Sequence, residues 1–342
     1  MNKKAKKTIK INFYNFWGGL DPKDNFFTNL LRKRYKVTIS DDPDYVFYSV
    51  YPSMHSPRNI DKIGNIIRKI SPKLYLSSRK LFTKFYNFLV RNSNKPEFKK
   101  KMVKIFYGAE HTKPNMNECD WAFGTHFEEE INHPRYMRLM NHLMTDYKLK
   151  NIGNPPIKKN INIKKIKKEK TKFCNFIYSQ DVPFRIEFFK KLSKYKHIDA
   201  PGRSMNNMPP ISSGDPKKSR LSKNWSKEKL KFIRPYKFTI AFENFAGSGW
   251  VTEKLTHPML VNSIPIYFGH NDVNKDFNTK SFINYNDFKN MKELINHIIK
   301  VDNDNRLYEK YLKQPWYKNN KYSKNIHIND KKILKRFCEI FR

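Results

Sequence analysis

Short apolar runs separated by longer mixed stretches set the rhythm of this chain. Ile9 to Phe13 and Val37 to Ile39 read as strands flanking a helical stretch around Phe26 to Arg34, and Asp44 to Val50 is a third strand candidate. Ile60 to Phe106 is richer in Lys and helix formers and closes in a predicted strand, Val103 to Tyr107, which runs into Gly108, Ala109 and Glu110. Cys119 to Gly124 is a further short strand, and Tyr136 to Tyr147 reads as an irregular or helical descent to a boundary. Strands alternating with helices favour a parallel α/β sheet, because parallel neighbours need a crossover between them.

Beyond that boundary, Ile157 to Lys172 holds eight lysines in sixteen residues with a single acid, Glu169, and reads as a solvated linker or surface loop. The α/β rhythm then resumes. Phe173 to Tyr178 is a strand, Pro183 to Tyr195 an amphipathic helix with Phe184, Phe188, Phe189 and Leu192 inward, and His197 to Ala200 an edge leading into Pro201 and Gly202. Ile211 to Ser222 is polar with Pro and Gly, as loops are, and Lys227 to Phe232 is helical. These shifts divide the chain at 1–154, 155–172, 173–317 and a tail, 318–342. In the tail Ile333, Leu334, Phe337, Ile340 and Phe341 recur at helical spacing among eight Lys and Arg. Such a segment suits docking onto the protein or lying on an anionic membrane.

The richest stretch is Tyr236 to Gly269. Phe238, Ile240 and Phe242 share one face of a predicted strand and Thr239 and Ala241 the other, which leaves Glu243 and Asn244 at its carboxyl end. Ligands of open α/β sheets bind at that end. Gly247 and Gly249 allow a sharp turn or a close approach by a ligand, and Val251 to Leu255 reads as a first helical turn whose free amides suit an anion. Lys254 adds a positive charge. Pro258 is expected to kink or restart the helix, and Ile264 to Phe268 is a second strand. The unit reads as a cradle for a phosphorylated sugar.

Charge agrees without deciding the matter. The 342 residues carry 69 Lys and Arg against 31 Asp and Glu, a formal net charge of +38, which points to an anionic partner such as a nucleotide diphosphate, an acidic membrane or a nucleic acid. Nucleic-acid binding is the competing class, but helix-turn-helix and single-strand motifs are absent and no nucleic acid is expected. Cys119, Cys174 and Cys338 are too few and too scattered for a disulfide framework or a zinc site, which favours a reducing compartment. Asp42-Pro43-Asp44 and Asp302-Asn303-Asp304 sit in turn-like surroundings rather than in a metal motif. No apolar run reaches the ~20 residues needed to span a bilayer. The expected location is cytoplasmic, peripheral to the inner face of a membrane.

The wording of the rich stretch resembles the signature of the α-1,3/1,4-fucosyltransferases, glycosyltransferase family 10, closest to the soluble bacterial type. The resemblance runs from Tyr236-Lys237-Phe238 through Phe242-Glu243-Asn244, Val251-Thr252-Glu253-Lys254 and Ile264-Pro265-Ile266-Tyr267 to Lys275-Asp276-Phe277-Asn278 and Lys280-Ser281-Phe282. It implies a GT-B fold: two Rossmann-like α/β domains, the acceptor side within 1–154 and the GDP-fucose side within 173–317, with an interdomain cleft. It also implies transfer of L-fucose from GDP-β-L-fucose, with inversion, to N-acetylglucosamine or glucose of a lactosamine-type surface glycan such as lipopolysaccharide. The α-1,3 or α-1,4 linkage stays open, and another GDP-sugar on the same fold is the alternative.

Residue roles follow from the same comparison. Glu110, after a strand and a glycine, matches the proposed base. Arg185 matches the diphosphate-binding arginine, and Lys254 is the second cation, so no metal is obligatory and a divalent cation would at most stimulate. Glu253 matches the acid that faces fucose. Asn244 either bonds the nucleotide or holds the loop, and Glu243 is as well placed to bond backbone amides of the glycine loop as to touch a ligand. Tyr236 and Trp250 are aromatic faces for guanine or fucose, with Trp250 standing where the bacterial relatives have tyrosine. Arg203 is a further residue of the cleft. Asn15-Phe16-Trp17-Gly18 resembles the family's tryptophan-glycine turn, which places Trp17 on the acceptor side.

Overall fold

The computed structural model describes residues 6–17, 20–50, 102–140, 161–211, 225–321 and 330–342. Most of the helical stretch expected before Phe106, the loop expected at Ile211 to Ser222 beyond its first residue, and Gly18 lie outside them. The described residues fall into two compact units. One takes the residues up to Gly124 with 133–137 and 337–342; the other takes 125–132 and 138–336.

The first unit is built on a six-stranded sheet. Its strands are β1 (Thr8–Tyr14), β2 (Lys36–Ile39), β3 (Tyr45–Tyr48), β4 (Val103–Gly108), β5 (Trp121–Gly124) and β6 (Tyr136–Arg138), in the order β2-β1-β3-β4-β5-β6. The pairs from β2 through β5 are parallel. Helix α1 (Phe26–Leu31) opens on Asn25, whose side chain accepts from the Thr28 amide, and buries Phe27 against Phe47 and Tyr107. β6 opens the stretch expected as an irregular or helical descent, of which residues 141–147 lie outside the described ones. Three residues are too few to show a period, and all three are buried.

The second unit carries β7 (Lys172–Asn175), β8 (Ile198–Asp199), β9 (Tyr236–Phe242), β10 (Ile264–Phe268) and β11 (Ile283–Asn284), in the order β11-β10-β9-β7-β8. All of its pairs are parallel. In chain order within its unit this is the arrangement 2-1-3-4-5, as in the first sheet, so both have a switch point beside their first strand. β9 is central and buried on both faces, which explains its nearly unbroken apolar composition.

Helices α2 (Glu128–Ile131), α3 (Ile163–Glu169), α4 (Pro183–Leu192), α5 (Trp225–Ile233), α6 (Glu253–Leu260), α7 (Met291–Asn303) and α8 (Asn305–Lys313) follow in chain order. The expected α/β architecture is therefore present in both units. The lysine-rich stretch is not wholly solvated: α3 lies within it, buries Ile166 and pairs Lys167 with Glu309 of α8 at 2.9 Å. Pro258 lies inside α6 without restarting it, and the helix ends two residues later.

The last helix, α9 (Asp330–Ile340), decides between the two expectations for the tail's apolar face. Ile333, Phe337, Ile340 and Phe341 are buried, with Phe337 against Phe27 and Phe123 and Phe341 against Tyr35 and Tyr45. The stripe is consumed by protein core. Cys119 and Cys174 are buried and Cys338 exposed, and all three thiols are free.

Candidate active site

The carboxyl ends of β7 and β9 flank the switch point of the second unit, and the polar residues gather there. Tyr178, three residues beyond β7, donates its hydroxyl to the Ile240 carbonyl at 2.8 Å and accepts from the Phe242 amide at 2.6 Å, tying the ends of the two strands together. Its ring carries the Arg185 guanidinium 3.8 Å from its centroid. Burial raises the Tyr178 phenol to about 12, against the opposing charges of Arg185 and Lys254.

Arg185 lies in the first turn of α4, which starts with Pro183 where a missing amide costs nothing. Its side chain is 1% exposed. Nη2 donates to the Phe242 carbonyl at 3.0 Å and to Asn244 Oδ1 at 2.8 Å, while the buried Nε has no acceptor. Burial lowers its pKa, opposed by Tyr178 and Glu243. A guanidinium stays charged regardless. Of the two roles open to Asn244, holding the loop is what its contact with Arg185 accomplishes.

Glu243 is the hub on the other side. Its Oε1 accepts from the Thr252 amide at 2.9 Å and the Thr252 hydroxyl at 2.8 Å, and its Oε2 accepts from Lys254 Nζ at 3.0 Å. Thr252 is also the N-cap of α6. One carboxylate therefore sets both the start of the helix and the position of Lys254. Burial works against the Lys254 ammonium, but Glu243 and Glu253 hold its pKa above the usual lysine value. Burial likewise opposes ionisation of Glu253, yet Lys254, Lys229 and His257 outweigh it and hold this carboxyl well below the usual range. Lys229, buried on α5, lies 3.8 Å from Glu253 Oε1.

Gly249 has φ 69°, within a turn closed by the Trp250 amide on the Gly247 carbonyl at 3.0 Å. A Cβ there would stand 2.3 Å from the Thr125 carbonyl oxygen, so the close approach that requires glycine is made by protein backbone. Gly202 is similar: its Cβ would meet the Tyr178 carbonyl at 2.2 Å, which sets exposed Arg203 beside the end of the β7 segment.

Two expected site residues do not join this group. Tyr236 opens β9 at the opposite end, six residues or roughly 20 Å from Phe242, and its buried hydroxyl donates to Asp199 Oδ2 at 2.5 Å. A residue at the amino end of a parallel strand cannot face a ligand at the carboxyl end. Trp250 is near the glycine loop but only 3% exposed, stacked on Phe245 at 5.6 Å. Neither presents a free aromatic face. Conversely, Tyr178, Thr252 and Lys229 belong to the group without having been expected. Tyr178 had a legible signal as the last residue of a predicted strand, and Thr252 as part of the signature Val251-Thr252-Glu253-Lys254.

The first unit holds its own set. Glu110 and His111 follow β4 with φ of 53° and 57°, a left-handed pair that non-glycine residues adopt at a cost of about 1 kcal/mol or more each. Such strain is retained where function needs a side chain aimed. Glu110 is exposed, and its charge adds to burial in raising the Tyr107 phenol. Tyr107 stacks on Phe16 at 6.1 Å, and Phe16 meets Trp17 edge-on at 5.6 Å. Trp17 thus follows β1 at the switch point of its sheet, linked through two rings to the segment that bears Glu110. Among the described residues no cluster of His, Cys, Asp or Glu is arranged to hold a metal ion.

Twin sheets of like order, parallel from β2 to β5 and throughout the second, with cations and a helix N-terminus at the switch point of the second, define a two-unit α/β protein suited to a nucleotide-linked ligand. The chain belongs to glycosyltransferase family 10, the fucosyltransferases: the family's C-terminal model matches residues 166–342, and the α-(1,3)-fucosyltransferase FucT N-terminal model matches 11–63. It is 28% identical to the α-(1,3)-fucosyltransferase FucT of Helicobacter pylori over 87% of this chain and 58% of that protein. It is 36% identical to a putative fucosyltransferase, R654, of Acanthamoeba polyphaga mimivirus over 52% of this chain and 30% of the relative. The chain thus spans roughly a third to three-fifths of these relatives. A 29% match covers 45% of the chain and 31% of GDP-fucose protein O-fucosyltransferase 3 of Xenopus tropicalis. A crystal structure of an α1,3-fucosyltransferase with GDP-fucose shares the fold, with a TM-score of 0.67 and 23% identity over the whole of this chain and 93% of that one. No helix among the described residues is long and apolar enough to cross a membrane.

Proposed function

We propose that this protein transfers L-fucose from GDP-β-L-fucose to a glycan hydroxyl with inversion, forming an α-1,3 linkage to N-acetylglucosamine or glucose of a lactosamine-type surface glycan. The observation that carries the reading is the linked pair of networks around β9, Arg185–Asn244 and Glu243–Thr252–Lys254, in a family 10 chain. Lys254 and the amides at the start of α6 offset the charge that collects on the diphosphate as the bond from fucose C1 to its oxygen breaks. The carboxylate of Glu253, kept ionised by its cationic neighbours, faces the sugar as positive charge develops there. Arg185 orders Asn244 beside the nucleotide, and Arg203 lies at the same end of the sheet.

Glu110 is the base. It accepts the proton of the acceptor hydroxyl as that oxygen bonds to C1 on the face opposite GDP, and a single displacement inverts the configuration. Trp17, on the same unit, offers a ring to the acceptor sugar. No obligatory metal enters this scheme, and Lys332 and Lys335, exposed on α9, suit contact with an anionic surface.

The test is GDP release by purified protein from GDP-fucose with an acceptor panel, followed by linkage analysis of the product. Because one relative is named for protein O-fucosylation, the panel includes a peptide arm. Release with a lactosamine-type acceptor and an α-1,3 product is expected. No GDP binding and no release with any acceptor would sink the reading. Retained activity in both Arg185→Ala and Glu253→Ala would overturn the site.

A further inference from the structure

Arg138 is one of the largest fully buried side chains in the molecule, and the partners of its guanidinium described below belong to the second unit. Its guanidinium forms a fork with Asp276, Nη1 to Oδ1 at 2.8 Å and Nη2 to Oδ2 at 2.7 Å. Both side chains are essentially inaccessible to solvent. Nη2 also donates to the Gly249 carbonyl at 3.0 Å, Nε donates to the Thr125 carbonyl at 2.9 Å, and the guanidinium carbon lies 4.2 Å from the Phe127 ring centroid. A guanidinium presents several donors in fixed directions, so one residue can serve three chain segments at once.

Gly249 is where these segments converge on the glycine loop. Its positive φ aims its carbonyl at Arg138, and its missing Cβ lets Thr125 press against the backbone. Outside this contact, Ser248 donates to Glu130 and Lys275 lies 3.7 Å from Glu129. Segment 125–132 therefore backs the loop at Ser248 and Gly249. The loop leads within three residues to Thr252, which caps α6, and then to Glu253 and Lys254.

We propose that Arg138, braced by Asp276, is a positioning residue for donor binding: it locks the glycine loop from behind and so fixes where α6 begins. The proposal rests on the donor site described above. Arg138 touches neither donor nor acceptor in this scheme and acts through Gly249. A loop held only by its own turn would sample other positions and carry Lys254 and Glu253 with it, at the expense of both donor affinity and the chemical step that these two side chains serve.

Arg138→Met by itself strands the buried Asp276 carboxylate and risks failure to fold. Two other variants avoid this. Arg138→Lys keeps a cation for Asp276 but cannot also reach Gly249 and Thr125, and the double variant Arg138→Met with Asp276→Leu replaces the ion pair by apolar volume. Each is compared with wild type by thermal unfolding, by hydrogen exchange of the peptide spanning 245–252, and by kinetics with GDP-fucose. The expected result is exchange at least about fivefold faster across the loop, with kcat/KM for GDP-fucose lowered about tenfold. Unchanged loop exchange in a folded variant overturns the proposal, and so does faster exchange with unchanged kcat/KM. Wild-type protein that neither binds GDP nor turns over GDP-fucose refutes the proposed function instead, and loop exchange then decides for or against the lock.

Discussion

Arg185 Nη2 lies 2.8 Å from Asn244 Oδ1 and 3.0 Å from the Phe242 carbonyl, so a single nitrogen joins helix α4 to the residues that leave strand β9. The guanidinium does this while lying on the Tyr178 ring, whose hydroxyl bridges the β7 segment and β9. Arg185 thus shapes the loop as well as supplying charge.

Arg185→Lys tests that double role. An ammonium is a point donor that cannot lie flat on Tyr178 and hold both acceptors. Steady-state kinetics should show kcat/KM for GDP-fucose reduced about 100-fold, close to 2.7 kcal/mol in the barrier. A loss below about threefold would show that charge alone suffices.

Glu243→Gln keeps the shape of the side chain but removes the counter-charge of Lys254 while leaving the Thr252 bonds available. A half-broken buried ion pair costs about 3 kcal/mol. Urea unfolding should show a loss of that order, and the Lys254 pKa should fall because its strongest charged partner is gone. Equal stability of the two proteins would mean that Lys254 is solvated in practice.

Glu110 separates stability from activity. Glu110→Gln preserves the left-handed backbone and should lower kcat by about 10²- to 10⁴-fold with little change in KM for the donor. Glu110→Gly relieves the strain at φ 53° and should raise stability by about 1 kcal/mol while abolishing turnover. A less stable Glu110→Gly protein would show that the left-handed turn is held by the carboxylate itself.

Lys170 should make folding depend on pH. Its Nζ donates to the Arg234 carbonyl at 2.5 Å and the Val261 carbonyl at 2.7 Å, just past the ends of α5 and α6. Burial pushes this ammonium from 10.5 down to about 7, with Glu169 opposing and Arg234 adding. Between those values the unfolded chain binds a proton that the folded chain has released, so stability rises with pH through this window. It is lowest below about 7, where both states are charged. Urea unfolding should show a gain of roughly 2 to 3 kcal/mol from pH 7 to 9, absent in Lys170→Met. A flat profile in the wild type would refute the buried, depressed lysine.

Much of the fold was legible because local periodicity reports burial. Ile264 to Phe268 was predicted as a strand with the boundaries it has, and the runs around β1 to β5 and β7 to β9 were read to within a few residues. β6 was not, being a strand of three residues that owes its existence to β5 beside it. The linker reading of the lysine-rich stretch failed in part, because a charged helix with one apolar residue, Ile166, can still pack.

The sequence by itself determined the alternation of strands and helices, the glycine turn after β9, the family signature and most of the side chains proposed for the site. Tertiary structure alone decided which of them meet. Tyr236 and Asn244 stand eight residues apart in one motif, yet the direction of β9 sends them to opposite ends of the sheet. Arg138 and Asp276 are 138 residues apart and form a buried fork. A period of two or 3.6 residues encodes which face of an element is buried, and nothing in it encodes strand order or the partner that a buried charge will find.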